Sequence, residues 1–126
     1  MIDAMTRDTP NSSDSWAIPR DIEDLAVLCG SEVIADIFET FLDDTPLRFA
    51  QVRAGMECGE AGTVRREAHS IKGSSAQIGA ATLSAIAAAL ESGDSPPQLW
   101  RPLLDACEAE FIKVAALIRA HPLLRH

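Results

Sequence analysis

The stretch Ala68–Glu91, AHSIKGSSAQIGAATLSAIAAALE, decides the fold. Laid out at about 100° per residue, Val64, Ala68, Ile71, Ser75 and Ile78 fall on one side of a helix and form a core stripe. Gly79 closes that helix, predicted over Thr63–Ile78. A second apolar stripe then follows, Leu83, Ile86, Ala87 and Leu90, on a helix from Ala81 to about Ser92. Two striped helices joined at Gly79–Ala81 fold back on each other and bury their stripes together.

The same pattern extends outward on both sides. DIEDLAVL, Asp21 to Leu28, is a short amphipathic helix that Gly30 ends. Ser31 stands at an N-cap position with Glu32 in the first turn. A long helix is predicted from Ser31 to Glu57, kinked at Pro46, because the apolar stripe resumes at once in Phe49, Val52 and Met56. Gly59 to Gly62 make the next turn. Ser95 as N-cap and Pro96 at the first helical position predict the start of a last helix, which runs to about Ala120 before Pro122. It presents Trp100, Leu103, Leu104, Cys107, Phe111, Val114 and Ile118 as one face. No segment alternates like a strand. The expected fold is all-α: an antiparallel up-down four-helix bundle with a short additional N-terminal helix as a lid. Residues 1–17 read as a flexible polar arm, 18–121 as the bundle and 122–126 as a tail. Trp16 and Ile18 are placed to pin the end of the arm.

Composition narrows the function. The chain has 126 residues, enough for one domain. It has no Tyr, and its aromatics are four Phe and two Trp, which favours helix over strand. A net charge of −8 repels phosphate backbones, so no nucleic-acid partner is expected. No stretch is apolar enough to span a membrane, and the N-terminus lacks the apolar region of a signal peptide, so a cytoplasmic protein is expected. The three cysteines lie far apart without a CxxC, which argues against a disulfide scaffold.

His69 lies well off the core stripe and is predicted to be exposed, with Arg65 one turn behind and Lys72 one turn ahead. Gly73 shares that flank, although a mid-helix glycine costs about 1 kcal/mol relative to alanine. Either it lets two helices approach, or it clears room beside His69 for another molecule. Residues 61–80 hold Arg65, Arg66 and Lys72 against Glu67 alone, so the locally positive part of an acidic chain surrounds His69. Such a patch suits a phosphoryl group and an acidic partner surface, and is equally an ordinary solvated helix face. Counting from the turn at Gly79, Glu91 comes level with His69. It either accepts the Nδ1–H of the imidazole, leaving Nε2 as the nucleophile, or points to water.

His69-Ser70-Ile71-Lys72-Gly73-Ser74-Ser75, followed by Gly79-Ala80, Leu83 and Leu90-Glu91, resembles the histidine-containing phosphotransfer (HPt) domains of bacterial and eukaryotic phosphorelays. The central motif covers about a fifth of the chain, and the helix order extends the likeness from roughly 18 to 121. The resemblance implies that His69 accepts a phosphoryl group and that Lys72 steadies it; Arg65, from the charge of the patch, is a second candidate cation. It implies that Gly73 lets a receiver domain dock close and that Glu91 orients the imidazole; Ala76, on the same flank as His69, is a docking candidate by its position. Leu25 and Leu28 are further docking candidates, and Gln77 reads as a solvated face residue. The implied protein is a monomeric phosphocarrier and not an enzyme. Its partners are response-regulator receiver domains and a hybrid histidine kinase, and it has no cofactor of its own because the receiver brings Mg²⁺.

The competing readings are weaker. A bundle that docks or sequesters a signalling protein without carrying phosphate would be expected to lose the histidine or the lysine, and this chain keeps both. A di-metal carboxylate bundle needs Glu-x-x-His pairs, and Glu67-Ala68-His69 has the wrong spacing. HExxH, GxxxxGK[ST] and GxGxxG are absent, so neither a metal site nor nucleotide binding is expected.

Overall fold

The computed structural model describes residues 16–94 and 96–122, which form five α-helices and no strand. The N-terminal residues 1–15, Ser95 with its predicted cap, and 123–126 lie outside the described residues. No described helix is long and apolar enough to cross a membrane.

Helix α1, Arg20–Cys29, starts where the carbonyl of Pro19 accepts the N–H groups of Ile22 and Glu23 at 3.0 and 3.1 Å. Asp21 and Glu23 in its first turn complement the helix dipole. Its last turn ends on Gly30, at φ 101°, a conformation that a side chain disfavours. Helix α2, Glu32–Glu57, is one continuous helix through Pro46. Phe38, Phe41 and Thr45 before the proline, and Phe49 and Val52 after it, are all buried, so the inward face runs on past the missing N–H. Ser31 precedes α2, but its backbone is already helical and its side chain makes no capping bond; the first carbonyl to accept is that of Gly30.

Helix α3, Ala61–Gln77, is tied close to α2. A Cβ on Gly55 would stand 3.0 Å from Cγ2 of Thr63, so glycine is what permits this approach. The predicted stripe of Val64, Ala68, Ile71, Ser75 and Ile78 is entirely buried. Gly79 turns the chain at φ 83°, and the indole N–H of Trp16 donates to the carbonyl of Ile78 at 2.7 Å, taking up one of the free acceptors at the helix end. Trp16 also packs edge-on against Phe38. Helix α4, Ala81–Glu91, buries Leu83, Ala87 and Leu90 and partly buries Ile86.

The last helix begins later than the sequence suggests. Pro97–Leu99 form a single 3₁₀ turn, and α5 spans Trp100–Ala120. Pro96 is extended, at ψ 152°, because a residue before proline is pushed out of the helical region; it therefore cannot be the first helical residue. Helix α5 packs on both α4 and α2. Phe111 meets Phe41 and Phe49 with ring centroids 5.6 and 5.7 Å apart. The core is aliphatic around these rings, with Ile34, Ile71, Leu83, Leu90, Leu104 and Ile118 fully buried. Each such side chain contributes about 1.5–3 kcal/mol. Cys107 is buried among them, and burial pushes its thiol up to about 12.

Candidate functional site

Because the stripe of α3 turns inward, the residues about 100° away from it turn outward. The side chain of His69 is 67% exposed, while its neighbour Ala68 is fully buried. Helix α4 lies along one flank of this exposed strip. Ser84 Oγ donates to the carbonyl of Lys72 at 3.0 Å, and further along Glu91 reaches back to His69. The later residue of α3, Lys72, meets the earlier residue of α4, Ser84, and the earlier His69 meets the later Glu91, so the hairpin folds back as its turn requires.

Glu91 holds two partners at once. Its Oε2 lies 2.7 Å from Nδ1 of His69, and its Oε1 lies 2.6 Å from Nζ of Lys72. An ionised carboxylate only accepts, so Nδ1 carries the proton and the lone pair of a neutral ring sits on Nε2. The ammonium of Lys72 first, and the imidazole of His69 second, hold the Glu91 carboxyl below its ordinary value. The sequence gives no sign of the Lys72–Glu91 pair: a lysine side chain is long enough to cross to the next helix, and its destination is not fixed by its helical angle.

Gly73 is exposed, and a Cβ built on it meets nothing within 4 Å. No helix approaches there; the close approach of helices belongs to Gly55. Ala76 is exposed on the same strip, one turn beyond Gly73. Arg65 is exposed one turn before His69 and makes no hydrogen bond or ion pair among the described residues. Glu67, the acid in the basic segment, is occupied by Arg48 of α2, whose Nη1 lies 3.0 Å from it and whose Nε bonds Asp44 at 2.7 Å. Leu25 and Leu28 are exposed on α1 together with Val27. Gln77 is exposed beside Asp36, Ile37 and Thr40 of α2. Among the described residues no three His, Cys, Asp or Glu side chains are grouped to hold a metal.

The arrangement is therefore one accessible imidazole with its tautomer set, one ammonium beside it, and a bare strip of helix ahead of it. It offers a nucleophilic nitrogen to something brought from outside. The family model of the Hpt domain matches residues 36–118, which include all of α3 and α4. Among solved structures, the chain is similar to the histidine-containing phosphotransfer protein B (HptB) from Pseudomonas aeruginosa PAO1. The TM-score is 0.70 and the identity 29%, over 84% of this chain and 92% of that one. Comparison with curated protein sequences gives no match.

Proposed function

The chain belongs to the Hpt domain family, and on that premise we propose that it is a phosphocarrier of a phosphorelay, with His69 as the group that is phosphorylated. In this reading the lone pair on Nε2 attacks the phosphorus of an aspartyl phosphate on a receiver domain. The N–P bond forms as the P–O bond to the aspartate breaks, and the carboxylate leaves. A second receiver aspartate later attacks the same phosphorus and frees the imidazole. The observation that carries the proposal is the exposed His69 with Nδ1 held by Glu91 at 2.7 Å.

Each neighbouring residue then has a role. As Nε2 takes the phosphoryl group the ring becomes positive, and Glu91 opposes that charge while keeping the ring fixed. Lys72, beside the imidazole, neutralises phosphoryl oxygens, with Arg65 as a more distant cation. Phosphoryl transfer depends mainly on positioning and charge neutralisation, so this small set suffices once a receiver supplies its own Mg²⁺. Gly73 and Ala76 leave the strip flat enough for the receiver to bring its aspartate to bonding distance. The four longer helices act as an antiparallel up-down scaffold, and the protein works as a cytoplasmic monomer between a hybrid histidine kinase and response regulators.

The test is transfer itself. Receiver domains pre-phosphorylated with a small phosphodonor are mixed with the chain in the presence of Mg²⁺, and intact mass is followed. An acid-labile phosphoryl adduct that His69→Gln abolishes is the expected result. Tight binding to a receiver with no adduct would replace this proposal with a phosphate-free docking module.

A further inference from the structure

At the end of the molecule where α3 begins, the α2–α3 turn, the end of α4 and the start of α5 enclose an open groove of about 560 Å³. Its floor is apolar, built by Met56, Pro97 and the half-buried Trp100. Arg65 and Arg101 also line it, and none of its lining residues is acidic.

The two arginines differ from most cations of the described chain. Arg48 is bound by Asp44 and Glu67, Arg53 by Glu108, and Lys72 by Glu91. Arg65 and Arg101 make neither an ion pair nor a hydrogen bond among the described residues. In a chain of net charge −8, two uncompensated guanidinium groups therefore meet at one concave surface. Helix α3 starts beside it without a side-chain cap, so its first N–H groups add positive partial charge. The groove is also continuous with the His69 strip. Arg65 lies one turn before His69 on the same exposed side, a rise of about 6 Å.

We propose that this groove seats an acidic segment of the receiver that exchanges the phosphoryl group with His69. Carboxylates of that segment pair with Arg65 and Arg101, and an apolar side chain between them rests on Trp100 and Met56. The chemistry of the groove asks for this combination: an apolar floor selects a side chain to bury, and two guanidinium groups beside it select carboxylates bidentately. A partner placed over His69 reaches the groove without leaving the surface of α3. The groove thereby selects among receivers, and this inference rests on the phosphocarrier reading.

The experiment uses the receiver that phosphorylates the wild-type chain fastest. Arg101→Glu is expected to raise the receiver concentration for half-maximal transfer about tenfold at low salt, while the rate at saturating receiver is kept. Arg119→Glu makes the same change in net charge at the far end of α5 and is expected to leave both quantities at wild-type values. Added salt should shrink the difference between the two variants. Coincident curves for Arg101→Glu and Arg119→Glu overturn the proposal. So does a fall in the saturating rate without a change in half-maximal concentration.

A binding measurement separates this proposal from the phosphoryl reading. In a Trp16→Phe, His69→Gln chain, whose helicity is checked by circular dichroism, Trp100 is the remaining tryptophan and no phosphoryl group is accepted. A saturable change in its fluorescence with unphosphorylated receiver, removed by Arg101→Glu, supports the groove whatever happens to transfer. No change, or one that Arg101→Glu leaves intact, overturns it.

Discussion

The two sides of helix α3 were built from the same seventeen residues and serve opposite ends. On the inner side Val64, Ala68, Ile71 and Ser75 have no measurable exposure. On the outer side Arg65, His69, Gly73 and Ala76 are all exposed, and at Gly73 even an added carbon would touch nothing. The lesson is a division of labour at about 100° per residue: one side carries the stability of the fold, and the other, in the proposed function, carries its chemistry on residues that contribute little to folding.

The strongest test of that division is His69→Gln. It is expected to remove phosphoryl acceptance completely while unfolding free energy stays within about 0.5 kcal/mol, since exposed positions contribute little. A large loss of stability in denaturant titration would break the comparison, because His69 would then belong to the inner side. Its mirror is Ile71→Ala, two residues away. That substitution should cost about 2–5 kcal/mol through lost burial and an unfilled cavity. Any protein that remains folded should still accept phosphate, which a transfer assay at low temperature checks.

Gly73 sharpens the comparison at smaller scale. A bulky residue there, such as phenylalanine, is expected to slow transfer from a receiver on the order of tenfold to a hundredfold by holding the aspartate away from Nε2. Gly73→Ala, by contrast, should stabilise the chain by about 0.5–1 kcal/mol, because helix propensity improves and nothing is met within 4 Å. Gly55→Ala gains the same propensity but drives a methyl group to 3.0 Å from Thr63, and is expected to be destabilising. Thermal melts of the two alanine variants moving in opposite directions would confirm which glycine serves packing and which serves access.

The smallest effect concerns acid. Glu91 has a lowered pKa in the folded chain, so its contribution to stability is fully present above its ordinary value of 4.5 and is lost as pH falls through the lowered one. The difference in melting temperature between wild type and Glu91→Gln should therefore be present at neutral pH and vanish in strong acid. A difference that persists below that range would mean that the carboxylate charge is not what ties Glu91 to Lys72 and His69.

How much of this was legible beforehand follows from which signals are periodic. The inner stripe of α3 and the return stripe of α4 repeat along one helix, so sequence spacing places Ile71 inside and His69 outside. The register of Glu91 on His69 follows from counting away from Gly79, because a short turn leaves little freedom. What escapes is whatever depends on contacts between elements. The pairing of Lys72 with Glu91, and of Arg48 with Glu67, joins long side chains across helices and leaves no mark in spacing. The groove draws on residues from the α2–α3 turn to Arg101, which no linear motif connects. The late start of α5 escapes the sequence pattern for a local reason, since a proline that favours a helix start loses that role when another proline follows it.

The buried thiol of Cys107 has one more consequence. Cys29 and Cys58 stand exposed near the ends of α1 and α2, whereas Cys107 is sealed within α5 and reluctant to ionise. An alkylating reagent in excess will therefore consume two thiols at once and wait for the third. That wait measures how often the folded state opens, so the chain carries its own clock for unfolding, readable by mass without any added label.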